Sequence, residues 1–369
     1  MNPEATRDLR AEKRSWRRDR ASAKAARTEA AWLRWSSRPL ELAFKGLELM
    51  IGVLPEDSAL EIGSALGQLF YCLHHGRRRL ALQNLALAFG AERSRREQRE
   101  IARASFANVG RMAIEFLRFR RLNRFKLRRS LTLHGSETVA QLYAEGRGTL
   151  ALSAHLGNFE LLAASFNLLE IGKNNLLGRR IKPAVMNRIV TGLRGSCGVD
   201  TIPGKDSIRE ILRRLKRNEG VGVVLDQNMR SGVGVFVNYF GVAASTSPGL
   251  AFIALRRNVP VQPIFIVRRG ASTRHAVLAL PRVPLVESGD RERDVLVNTQ
   301  RFTLVIEALV RRFPEQWFWF HQRWRCRPAG EVGAPGAAPG LPSDPEFRAE
   351  IEAQLDEYCA RLQLTTKRA

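Results

Sequence analysis

The chain has 369 residues, 44% of them hydrophobic, enough for one large domain with additions or for two modest domains. Sixty Lys and Arg, most of them Arg, stand against 36 Asp and Glu, giving a net charge of +24 and a pI near 11.2. That surface attracts polyanions: nucleic acid, anionic membrane, or acidic and phosphorylated partners. Four scattered cysteines (Cys72, Cys197, Cys326, Cys359) with no Cys-x-x-Cys pair exclude a disulfide framework and a zinc site, and point to a reducing compartment.

Residues 1–38 carry 11 Lys/Arg and 5 Asp/Glu, with Trp16, Trp32 and Trp35 among many alanines. They lack an apolar face wide enough for a core, so a basic arm is expected, disordered or lying on a membrane surface. The basic start is not followed by an uninterrupted apolar run, so no secretory leader is expected. Nor does any run of about 18 uncharged apolar residues predict a bilayer span.

The character changes at Pro39. In PLELAFKGLELMIGVLP, the residues Leu40, Ala43, Phe44, Leu47 and Ile51 recur at helical spacing, with Glu41, Lys45 and Glu48 opposite. ALEIGSALGQLFYCL follows, apolar nearly all round. The pair forms either a buried helical hairpin or one laid into a membrane surface, and the basic HHGRRR after it favours a membrane-facing edge. Two further helices are predicted near 77–89 and 94–119, making 39–130 a helical, membrane-associating section.

From Leu131 short β-type runs alternate with helical ones, the texture of an α/β fold. TLALSA, VGVVLD, VPVQPIFIV and HAVLAL read as strands. NFELLAASFNLLE reads as a helix starting at Asn158, and DSIREILRRLKRN as one capped by Asp206. A helix over 299–313 ends at Pro314. The predicted fold is a mixed, largely parallel sheet flanked by helices over 131–328. A Gly/Pro/Ala linker (329–345) and a C-terminal amphipathic helix (346–363) with the stripe Phe347, Ile351, Leu355, Tyr358 and Leu362 complete the chain.

The chemistry gathers at TLALSAHLGNFELL. His155 leaves a buried strand, Gly157 permits a tight turn, and Asn158 caps the next helix with Glu160 in its first turn. This puts an imidazole and a carboxylate at the carboxyl end of a strand, where open α/β sheets keep their ligands. A carboxylate on one ring nitrogen leaves the other free to act as general base. With no Gly-x-Ser-x-Gly elbow and no nucleophile motif, the expectation is direct attack by an acceptor hydroxyl that His155 deprotonates, without a metal or cofactor. Asp226, Gln227 and Asn228, just after VGVVL, would project from the same sheet edge. Arg179, Arg180, Arg188 and Arg194 offer an anion cradle, while FPEQWFWFHQRWRCRP crowds aromatics and arginines together.

In their order, SAHLGNFE, DQNMRSGVGVFVNYFGVAAST and PEQWFWFHQRWRCRP resemble the bacterial lipid A biosynthesis (late) acyltransferase family, within the wider glycerolipid acyltransferases marked by His-x4-Asp/Glu. RRRLALQNLALAFG is similar to the family's approach to its core, and the likeness runs from about Pro39 to Pro328. The resemblance implies an enzyme at the cytoplasmic face of the inner membrane that moves a fatty acyl chain from acyl-carrier protein to a hydroxyl of a lipid A precursor. It implies His155 as general base and Glu160 as its orienting partner, with Asp226 and Gln227 in the polar turn near the acceptor. Arg179 or Arg180 falls where the family places an arginine after the catalytic helix. The N–H groups of the Gly157–Asn158 turn or a nearby Arg are the expected oxyanion donors, and the helical section with the Trp-rich segment the expected lining for the acyl chain. Acidic carrier protein, phosphorylated acceptor and anionic leaflet would each use the positive charge. Related members act on other acceptors, so a lysophospholipid or glycosylated phospholipid is the alternative. A non-catalytic basic protein binding membrane or nucleic acid is the rival from another class, and no nucleic-acid fold signature supports it.

Overall fold

Residues 38–204, 207–230, 232–328, 336–338, 340–341 and 344–361 are described by the computed structural model. The basic arm, the Asp206 cap, most of the linker and Leu362 lie outside them. Helix α1 (38–53) leads through Pro55 into α2 (Glu56–Leu73), α3 (His75–Phe89), α4 (Arg95–Leu117) and α5 (Arg124–Ser130). The start of α4 is fixed by a capping box, in which the Ser94 hydroxyl accepts from Glu97 N–H while the Glu97 carboxylate accepts from Ser94 N–H. Helix α2 crosses α4 at backbone contact: a Cβ on Gly67 would sit 2.1 Å from the Phe106 carbonyl oxygen. Each glycine costs about 1 kcal/mol of helix propensity, which this close crossing offsets.

On α1 the charged face turns toward the protein. Glu41 pairs with Arg188 and Glu48 with Arg120, and of the apolar stripe Ile51 is buried while Leu40 and Leu47 are exposed. Leu42, Leu49, Met50 and Val53 of α1, and Leu66, Leu69 and Leu73 of α2, are all more than half exposed. Among the described residues no helix is long and apolar enough to cross a membrane.

The sheet begins at β1 (Leu131–His134), followed by α6 (Ser136–Ala144), β2 (Thr149–Ser153), α7 (Phe159–Leu168), β3 (Asn174–Gly178), α8 (Ala184–Gly195), β4 (Thr201–Pro203), α9 (Ser207–Lys216) and β5 (Gly220–Val224). After the separate antiparallel hairpin of β6 (Val235–Tyr239) and β7 (Val242–Thr246) come α10 (Gly249–Arg257), β8 (Val261–Arg268), β9 (His275–Ala279), α11 (Arg291–Arg312) and α12 (Pro345–Arg361). Seven strands take the order β1-β9-β8-β2-β5-β3-β4. Strands β8, β2, β5, β3 and β4 run parallel, β9 is antiparallel to β8, and β1 parallel to β9. The mixed, mostly parallel sheet flanked by helices is therefore present.

Both faces of the sheet are covered. Leu150 and Leu152 of β2, with Phe265 and Val267 of β8, join a core with α3, α4, α9, α10 and α11. Their alternates Ala151, Ile264 and Ile266 join a second core with α6 and α7. That period-2 division explains why these strands read as continuous apolar runs. Helix α11 starts earlier than the 299–313 stretch, at Arg291, where Asp290 accepts from two backbone N–H groups. Its polar first turns hid that start.

Candidate active site

Parallel register decides what meets His155. Ser153 of β2 lies opposite Val224 of β5, and Leu225 N–H donates to Ser153 O at 3.1 Å. Continuing both strands two residues past that pair brings His155 level with Asp226. His155 Nδ1 lies 2.7 Å from Asp226 Oδ1, and its backbone N–H donates to Oδ2 at 2.8 Å. Trp317 Nε1–H also donates to Oδ2, at 2.7 Å. Asp226 is fully buried; burial alone would push its carboxyl up, but the His155 and His321 rings and the Trp317 N–H outweigh it and hold the group well below the usual carboxylate range. His321 Nε2 lies 3.0 Å from the Asp226 carbonyl oxygen, and burial keeps this imidazole below the ordinary histidine range.

With Nδ1–H donated to a carboxylate, Nε2 of His155 is the acceptor nitrogen. Gln227 Nε2 lies 3.2 Å from it, and the His155 side chain is 17% exposed. Phe159 packs edge-on to the ring at 4.9 Å between centroids and Phe318 lies at 5.7 Å. Phe318 stacks on Phe320, which lines an apolar groove of about 650 Å³ between α1, α2 and α4. A path of two aromatic rings thus joins the imidazole to that groove.

Glu160 does not bond His155. As the second residue of α7 it faces α8, where Arg194 donates from Nη2 to Oε1 at 2.6 Å and from Nε to Oε2 at 2.8 Å. The carboxylate against the imidazole is Asp226, not the expected Glu160. A separation of five residues spread over strand end, turn and helix start fixes no distance, whereas the β2–β5 register does.

The other expected residues divide. Gly157 has φ +60°, and a Cβ there would lie 2.0 Å from Ile266 O, so only glycine fits. Its N–H donates to Gln316 O at 3.0 Å and is not free for an oxyanion. Asn158 is fully buried and caps α7: its Oδ1 accepts from Leu161 N–H, and its Nδ2 donates to Glu115 at 2.7 Å. Its side chain faces inward. Asn228 ties its turn to the last loop, accepting from Cys326 N–H at 3.0 Å. Arg179 and Arg180 are exposed beyond the carboxyl end of β3, on the His155 side of the sheet, and Arg179 Nη2 reaches to 3.9 Å from Met229 Sδ after β5. The Trp-rich segment was expected only as lining for the acyl chain, and the contacts of Trp317 and His321 with Asp226 and of Phe318 with His155 were missed, although the aromatic crowding at 317–324 was the available signal. Among the described residues no group of three His, Cys, Asp or Glu is placed to hold a metal ion.

Residues 34–326 match the family model for bacterial lipid A biosynthesis acyltransferases. The lipid A biosynthesis lauroyltransferase of Escherichia coli (strain K12) is 25% identical over 305 residues, covering 81% of this chain and 93% of its own. The palmitoleoyltransferase of the same pathway and organism is 21% identical over 279 residues, covering 75% and 88%. A lipid A biosynthesis acyltransferase of Shigella flexneri matches equally.

Proposed function

Because the chain belongs to the bacterial lipid A biosynthesis acyltransferase family and is an acyltransferase, we propose that it moves a fatty acyl chain from the thioester of acyl-carrier protein to a hydroxyl of a lipid A precursor, with His155 as general base and Asp226 as its orienting partner. The observation that carries this reading is the Nδ1–Asp226 bond at the carboxyl edge of the sheet, which leaves Nε2 as the acceptor beside the cleft. The acceptor O–H gives its proton to Nε2 as the oxygen bonds the thioester carbonyl carbon. The tetrahedral oxyanion then collapses, the C–S bond breaks, and the imidazolium returns the proton to the carrier's sulfur. Asp226 stabilises the imidazolium in between, and its depressed pKa keeps it charged throughout. Since Gly157 N–H is already bonded, the Asn158 N–H, Arg179 or Arg180 is left for steadying anionic groups of substrate or intermediate.

The groove between α1, α2 and α4 takes the acyl chain, reached past Phe318 and Phe320. The outward apolar face of α1 and α2 rests on the cytoplasmic face of the inner membrane, and the +24 charge favours an anionic leaflet, a phosphorylated acceptor and an acidic carrier. Glu160 and Arg194 brace α7 against α8.

The test is acyl transfer in detergent from labelled acyl-carrier protein, with a Kdo-bearing lipid A precursor and a lysophospholipid as rival acceptors, read by mass spectrometry. One added acyl chain on the lipid A precursor is expected. Gain on the lysophospholipid alone would reassign the acceptor, and transfer only from acyl-CoA would reassign the donor.

A further inference from the structure

Helix α4 shows two faces with different tasks. Phe106, Val109, Gly110, Ala113 and Leu117 line the apolar groove. Ser105, Asn108 and Glu115, on the stripe that also carries buried Met112, reach the other way. The Ser105 hydroxyl donates to Trp317 O. Asn108 Oδ1 accepts from Arg268 Nε at 3.1 Å, and Glu115 Oε1 accepts from Arg268 Nη1 at 2.8 Å. Glu115 Oε2 accepts the Asn158 side-chain N–H at 2.7 Å.

Charge balance accounts for only part of this. Glu115 and Arg268 form a two-pronged buried pair, which suffices to neutralise the carboxylate. Burial drives the neighbouring His275 down to about 4, so near neutral pH it adds no charge. The bond to Asn158 is thus not needed to neutralise Glu115, and it ends on the cap of α7, three residues from His155. The turn's other anchor leads to the same place. Gly157 N–H is held by Gln316 O, and the Gln316 side chain pairs with both the N–H (2.7 Å) and the C=O (3.0 Å) of Arg268. Both bolts of the His155 turn run back to the Arg268–Glu115 pair.

We propose that Ser105, Asn108 and Glu115 form a positioning face through which α4 holds the His155 turn in register with the groove, with Glu115 as its principal residue. This rests on the reading of His155 as the base. Groove and turn are built on one rigid helix, so the reacting carbonyl and Nε2 keep their separation, and a misplacement of about 1 Å can cost on the order of 100-fold in rate.

Two variants of the full chain test it in the detergent acyl-transfer assay. Glu115→Asp keeps a carboxylate for Arg268 but withdraws it by one methylene. Asn158→Ser leaves the Glu115–Arg268 pair untouched and keeps a hydroxyl to cap α7, yet cannot reach Glu115. Each is expected to lower kcat about tenfold or more, with KM for the acyl donor within about twofold. The double variant is expected to be no slower than the slower single one, because one bond is removed twice. A merely structural role would change the folded fraction, measured by thermal unfolding, and leave kcat per folded molecule unmoved. Wild-type kcat in both single variants, or losses that multiply in the double, would overturn the inference while an inactive His155→Ala leaves the general-base reading standing. Turnover retained by His155→Ala would instead overturn both.

Discussion

The turns after β2 and β5 leave neighbouring parallel strands at one level, and each brings a buried carboxylate to the same edge of the sheet. Asp226, two residues past β5, takes three hydrogen bonds aimed at the imidazole and its surroundings. Glu160, in the first turn of α7, takes a two-pronged bond from Arg194 and none from His155. One carboxylate is held against a ring that can carry a proton, the other against a cation that cannot release one at working pH. Nearness in sequence and nearness in chemistry part company where a strand becomes a helix.

The largest expected effect is on the ring itself. His155→Ala should lower acyl transfer by about 10³-fold or more with an unchanged far-ultraviolet spectrum, since general-base assistance is worth about 10² to 10⁴; near-normal turnover would dissolve the comparison by emptying one side of it. Next, Glu160→Gln should act chiefly on stability. It leaves Arg194, which is 14% exposed, without its charge partner, and a loss of about 3 kcal/mol in denaturant unfolding is expected. A fully stable variant would mean that the ion pair does not brace α7.

Smaller effects come from outside the two turns. Leu69→Ser with Leu73→Ser, on the outward face of α2, should weaken cosedimentation with anionic vesicles several-fold without moving the unfolding midpoint; unaltered binding would separate that face from any membrane contact. The last concerns the anchors. Burial holds His275 unprotonated down to about 4 despite Glu115, whereas an unfolded histidine takes a proton near 6.5. Between those values the unfolded chain binds more protons, so stability should fall as pH drops from about 6.5 toward 4. His275→Gln should flatten that slope in thermal melts, and an identical slope would place the acid sensitivity elsewhere.

Much of the scaffold was legible. TLALS, GVGVV and VQPIFIV are apolar runs bounded by turn residues, which is how strands covered on both faces look, and Asn158 has the side chain an N-cap needs. That Asp226 shares an edge with His155 followed from both ending such strands. Their hydrogen bond did not, because it depends on the Ser153–Val224 register. The orientation of α1 was equally hidden: Glu41 and Glu48 look like a solvent face until Arg188 and Arg120, more than 70 residues on along the chain, turn it inward. Gly157 showed its need for a left-handed turn, but not that its N–H was already spoken for by Gln316.

The most direct measurement is kcat for Asp226→Asn and Glu160→Gln side by side, normalised to folded enzyme, in the acyl-carrier-protein assay. Asp226→Asn is expected to fall about 100-fold or more, because an amide cannot stabilise the imidazolium or hold its tautomer, while Glu160→Gln stays within about tenfold of wild type. The reverse order, with Glu160→Gln as inactive as His155→Ala and Asp226→Asn near wild type, would contradict Asp226 as the partner of His155.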